Sequence, residues 1–154
     1  MLKDKIKDDI SQALKKGDEI KCSTLRMLLA AVLNKEKEKK YKEKIEQEVK
    51  LTDEEIIDVI FSEAKKRKES IIEYEKGERQ NLAEKEKKEF EILQKYLPEQ
   101  LPEEEVKRLA EETVEEVGAE EIKDMGKVMA ELMPKLKGRA DGNTVSKIVK
   151  ELLT

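Results

Sequence analysis

Residues 124–149 read DMGKVMAELMPKLKGRADGNTVSKIV, and the spacing inside this stretch decides the fold class. Ile122 just ahead of it, then Met125, Met129, Leu132 and Leu136, recur at steps of three and four, which is one apolar stripe on an α-helix. Pro134 falls inside the stripe, where its ring removes a backbone donor and bends or ends the helix. The chain then breaks at Gly138-Arg139-Ala140-Asp141-Gly142. A second short helix is expected beyond it, with Val145, Ile148, Val149 and Leu152 on one face. Asp141 or Asn143 is positioned to cap that helix by accepting a hydrogen bond from an early backbone N–H.

Charge reverses where this stretch begins. Residues 98–122 hold two basic and ten acidic side chains, a balance of −8. Residues 123–154 hold seven basic and four acidic ones, a balance of +3. Lys127, Lys135, Lys137, Arg139 and Lys147 lie on or around the Gly-rich break, making it the one local electrostatic feature that looks arranged.

Working upstream, Glu103, Glu104 and Glu105 suit the positive end of a helix dipole, and Pro102 suits its first turn. Val106, Leu109, Thr113, Val114 and Val117 are spaced to face inward, and Gly118 stops the helix. YLPEQLP (96–102) is the boundary, since Pro98 and Pro102 bias their predecessors away from helix. Residues 98–154 are therefore expected to form a three-helix tail domain.

Residues 1–97 are expected to form a second helical domain, a small four-helix bundle. Leu2, Ile6, Ile10, Ala13 and Leu14 line a first helix that Gly17 stops. Apolar residues from Ile20 to Leu33 cover most of a second helix, as expected of a helix buried among others. Arg26 sits in that run and reads either as a binding residue or as a guanidinium that pairs with an acid or reaches the surface. Residues 35–50, KEKEKKYKEKIEQEVK, continue the helix and then loosen; such a charge run is usually solvated, with docking of an acidic partner as the alternative. Thr52 and Glu55 form a capping box ahead of a third helix ending at Gly77. Arg67 falls on its apolar side by spacing, where pairing with an acid in the core is expected. A fourth helix, from about Arg79 to Tyr96, carries Leu82, Glu86, Phe90, Leu93 and Leu97 near one face.

Composition narrows the function. The chain has 154 residues, 45% charged and 3% aromatic, and no β-branched alternating run of strand length, so it reads as all-α. A net charge of −4 means that any nucleic-acid contact must be local. Histidine is absent and Cys22 is alone, so the usual general base, metal ligand and disulfide framework are missing. No nucleophile elbow, phosphate-binding glycine loop or metal-ligand spacing is present, and no cofactor is implied. With no signal peptide and no apolar span of membrane length, the sequence predicts a cytoplasmic protein without membrane contact.

The run DMGKVM…LMPKLKGRADG, with YLPEQL upstream, closely resembles the GatB/YqeY tail domain. That module ends the B subunit of the tRNA-dependent aspartyl/glutamyl amidotransferase and forms the C-terminal half of free-standing YqeY-like proteins. LRMLLAAVLN, EKGERQNL and the chain length extend the resemblance to a whole free-standing YqeY-like protein. The family is often described as carbon–nitrogen ligases with glutamine as amido donor. The resemblance implies association with that reaction rather than possession of it, because neither an ammonia-releasing nucleophile nor a phosphate-handling site is visible.

By position, the resemblance implies Lys127, Lys135, Lys137, Arg139 and Lys147 as tRNA contacts, with Gly126, Pro134, Gly138, Asp141 and Gly142 shaping the backbone. Lysine and arginine of this kind clamp phosphates without reading bases. Each residue also has a purely structural reading: Gly126 allows close helix packing, Pro134 and Gly138 end a helix, and cations offset a helix dipole. Where such tail domains often cap the middle helix with Ser or Thr, this chain has Glu120-Glu121. The expected partners are tRNA, amidotransferase subunits or an aminoacyl-tRNA synthetase. A helical protein–protein adaptor is the alternative.

Overall fold

The computed structural model describes residues 1–154 and contains seven α-helices, one 3-10 turn and no strand. The all-α reading holds. The chain separates into two compact units, Met1–Leu97 and Pro98–Thr154.

The first unit is four helices: α1 (Leu2–Lys16), α2 (Glu19–Lys42), α3 (Asp53–Lys76) and α4 (Gln80–Gln94). Its core is Ile6, Leu25, Leu28, Val32, Ile56, Ile60 and Leu93 with their neighbours. Each fully buried aliphatic side chain of this kind contributes about 1.5–3 kcal/mol relative to exposure. Gly17 ends α1 in the left-handed region at φ 71, and Asp18 starts α2 by accepting from the Lys21 amide at 3.1 Å. The Thr52–Glu55 capping box forms at the start of α3. Glu36, buried on α2, accepts from Lys3 Nζ at 2.9 Å and from the Leu51 amide at 3.2 Å. It thereby ties α1 and the entry to α3 onto α2.

Two sequence expectations change here, and of the structural readings of Arg26 one holds. The second helix is not buried all round: Met27, Ala30 and Leu33 are exposed, and only one face reaches the core. In a unit of four helices, α2 has too few neighbours to cover its whole circumference. Arg26 is exposed on that open face and makes no ion pair, so it reaches the surface. Leu82 is also exposed, and Ala83 takes the buried position of the first turn of α4. Arg67, by contrast, meets its acids: Nη1 lies 3.2 Å from Glu86 Oε2 and 2.9 Å from Glu89 Oε2. The second contact has ion-pair distance without hydrogen-bond alignment.

The second unit holds α5 (Glu103–Val117), a 3-10 turn (Ile122–Asp124), α6 (Met125–Leu136) and α7 (Gly142–Leu152). Val106, Ala110, Val128, Leu132, Leu136, Val145, Ile148 and Val149 make its core. Thr113 is fully buried because its Oγ1 donates to the Leu109 carbonyl at 2.8 Å, so no hydroxyl is left unpaired. Gly118 closes α5 at φ 65. Ile122 leaves the apolar stripe: it sits in the 3-10 turn and is half exposed.

Candidate nucleic-acid interface

The stripe of α6 that faces the core runs through Val128, Leu132 and Leu136, which places Lys127 and Lys135 on its outer side. Glu131 lies between these two lysines at i, i+4 spacing. Gly126 is exposed in the first turn, and a Cβ there would meet nothing within 4 Å, so close helix packing does not account for it. Pro134 is exposed in the last turn and does not break the helix, which continues to Leu136.

The start of α6 is secured differently from the Ser/Thr pattern. Asp124 Oδ2 accepts from the amides of Glu120 at 3.1 Å and Glu121 at 3.2 Å. These backbone hydrogen bonds hold its carboxyl below the usual aspartate value, with Lys127 and Lys123 adding smaller contributions. Glu121 itself pairs with Lys123 at 3.1 Å.

The turn between α6 and α7 is laced to the Pro98–Leu101 segment. Gly138 is buried at φ 74, a left-handed conformation that disfavours any side chain. Its carbonyl accepts from Gln100 Nε2 at 2.6 Å, and the same nitrogen donates to the Pro98 carbonyl at 2.9 Å. Arg139 donates from Nε to the Glu99 carbonyl at 3.2 Å, while its own carbonyl accepts from the Leu101 amide at 3.0 Å. Its Nη groups make no hydrogen bond within the chain. PEQL and GR are thus two sides of one joint. Gln100 carries no signal in the sequence, since nothing in its local pattern marks an amide that acts across thirty-eight positions.

Lys135 pairs with Glu116 at 3.4 Å, with both side chains substantially exposed. A pair so solvated is worth at most about 1 kcal/mol and leaves the lysine able to exchange partners. Lys137 follows α6 directly and, like Asp141, is engaged by a partner group. Asp141 caps α7, accepting from the Asn143 amide at 3.2 Å. Gly142 opens α7, where an added Cβ would come within 3.7 Å of Met133 Cε, an ordinary contact. Lys147 is exposed on the side of α7 away from Val145, Ile148 and Val149.

The structure therefore gathers Lys135, Lys137 and Arg139 at the end of α6 and the joint after it. Lys127 lies eight residues before Lys135, about 12 Å along the helix. Lys147 belongs to the outer face of another helix. Phosphate clamping by the joint would rest on the Arg139 Nη donors and the two neighbouring ammonium groups.

A family model described as Yqey-like protein matches residues 3–153. The chain belongs to the YqeY-like family. That family is related to the GatB C-terminal domain. Two relatives of this YqeY-like chain share the name "Altered inheritance of mitochondria protein 41, mitochondrial". The one from Vanderwaltozyma polyspora is 32% identical over 92 residues, 60% of this chain and 46% of the relative. The one from Kluyveromyces lactis is 33% identical over 91 residues, 59% of this chain and 45% of the relative. The chain spans about half the length of the curated relatives it matches. No helix of this YqeY-like protein is long and apolar enough to cross a membrane.

Proposed function

We propose that this YqeY-like protein is an accessory factor that holds tRNA through its C-terminal unit, in association with glutamine-dependent tRNA amidation. The observation that carries this reading is the cationic joint: Lys135, Lys137 and Arg139 in succession, on a chain whose net charge is −4. Their contacts go to phosphates, so recognition is of shape rather than sequence. The reading holds in the cytoplasm, the compartment expected from the sequence, and equally in the organelle printed in the relatives' names.

The test is filter binding of tRNA against an unrelated structured RNA at two salt concentrations. The expected result is a preference for tRNA, weakened by salt and abolished by combined Lys135→Glu, Lys137→Glu and Arg139→Glu. Retained binding in that triple variant rejects the site.

A second reading, a protein–protein adaptor docking on a synthetase or amidotransferase, is favoured by an open groove of about 350 Å³ on α1 and α2. Leu14 and Met27 line it at 61% and 51% exposure, beside Arg26. It requires partner capture that survives nuclease treatment. Ligase activity in its own right would appear as ammonia release from glutamine by the pure protein.

A further inference from the structure

Tyr41 is 87% exposed on the last turn of α2, in a chain with only three tyrosines, two phenylalanines and no tryptophan. A ring of this size forgoes burial it would normally gain. Its surroundings are cationic. Lys37 lies one turn earlier on the same face, Lys40 and Lys42 flank it in sequence, and the Lys44 amide donates to the Tyr41 carbonyl at 3.4 Å. Three nearby acids are committed to other lysines. Glu36 is held by Lys3, Glu38 pairs with Lys35 at 3.2 Å, and Glu55 takes Lys39 at 3.0 Å. Within four residues of Tyr41 this leaves Lys37, Lys40, Lys42 and Lys44 against Glu43, with Glu46 and Glu48 further along the chain. Lysines near a helix C-terminus offset a dipole equivalent to about half a charge. Even with Glu46 and Glu48 counted, the ammonium groups outnumber the carboxylates by more than that half charge, and the dipole gives no account of an exposed aromatic between them.

We infer that the C-terminal end of α2 is a second nucleic-acid contact, in which Tyr41 stacks on an unpaired base while Lys37, Lys42 and Lys44 hold the flanking phosphates. The occupant is single-stranded RNA or an unpaired loop: the lysines complement a polyanion, and a ring standing free in solvent offers a base its face. A double helix keeps its bases stacked on one another and leaves the ring nothing to receive. The site lies in the first unit and does not depend on the cationic joint of the second.

The experiment is fluorescence anisotropy of the full chain with a labelled oligouridylate of about 12 nucleotides, within the usual span of such sites. Tyr41→Ala is expected to weaken binding about tenfold, as loss of one base stack does, whereas Tyr41→Phe keeps it. Lys37→Glu with Lys42→Glu is expected to weaken it further and to flatten its salt dependence. Binding of blunt duplex RNA is expected to be unchanged by Tyr41→Ala. Because the side chain is exposed, equal helicity of all variants by circular dichroism is expected. Oligouridylate binding that is absent in the wild type, or equal in Tyr41→Ala, overturns the inference. So does a stronger preference for polyglutamate, which would assign the patch to an acidic protein.

Discussion

Arg139 donates its Nε proton to the Glu99 carbonyl at 3.2 Å and receives the Leu101 amide on its own carbonyl at 3.0 Å. One residue thus fastens the joint after α6 to the segment that precedes α5, and its two Nη groups make no hydrogen bond within the chain. Arg139→Lys separates the two jobs. The ammonium keeps the charge and loses the Nε bond, so the second unit should lose about 1 kcal/mol in denaturant unfolding. On the proposed reading, tRNA affinity should fall modestly, through the lost bidentate geometry. Arg139→Ala should lose both stability and affinity.

Arg67 stands between Glu86 and Glu89 in a largely buried cluster. Arg67→Ala leaves two carboxylates without their cation and should cost about 3–5 kcal/mol. Faster amide hydrogen exchange throughout α3 and α4 would report it. Arg67→Met combined with Glu86→Gln and Glu89→Gln should recover most of the loss. A failure of that triple variant to recover would mean that the guanidinium acts through shape rather than charge.

Two glycines of the second unit should respond with opposite signs. Gly138 is at φ 74, and alanine there should destabilise by about 1–2 kcal/mol. Gly126 lies inside α6 with open space around it, so Gly126→Ala should stabilise by about 0.5–1 kcal/mol. If a ligand backbone approaches Gly126, the same substitution should weaken tRNA binding while raising the melting temperature. Unchanged binding would leave that glycine without a ligand role.

Stability should fall at both extremes of pH for identifiable reasons. Asp124 has its carboxyl depressed by the Glu120 and Glu121 amides, and Glu55 has its own depressed by Lys39. In both, the unfolded chain binds the proton more tightly, so their contribution is present at neutral pH. It disappears as pH falls below the ordinary carboxylate range near about 4. Asp124→Asn should flatten the acid limb of a stability–pH curve. Tyr96 works in the other direction: burial, then its hydrogen bond to Asp9, raises the phenol above its usual value. Its contribution is present below about pH 10 and is lost as the pH rises further. Tyr96→Phe should flatten the alkaline limb and cost about 1 kcal/mol at neutral pH.

Local signals in the sequence specify structure where a single physical cause dominates. Gly17 and Gly118 stop helices in left-handed geometry, Thr52 and Glu55 make their capping box, and the stripe through Leu132 and Leu136 faces the core. Exposure around α2 is not legible in the sequence, since periodicity shows that Met27 and Leu33 are apolar but cannot count the helices available to cover them. Arg67 was legible because its position on an apolar face required an acid. Gln100 was not, for its partner lies on a distant turn whose approach depends on the packing of α5 and α6. At the joint, the types and order of the cations were visible in the sequence. The commitment of Arg139 Nε to a main-chain carbonyl and the pairing of Lys135 with Glu116 were not.

Glu36 has a consequence for how the first unit tolerates damage. A single carboxylate holds both Lys3 and the Leu51 amide, so the excursion from Glu43 to Lys50 starts and finishes at anchored points. Its interior bears little of the load. Protease nicking there, or a foreign peptide spliced in, should leave the two pieces assembled, which makes residues 46–48, past Lys44 of the inferred RNA contact, the natural place to graft a reporter.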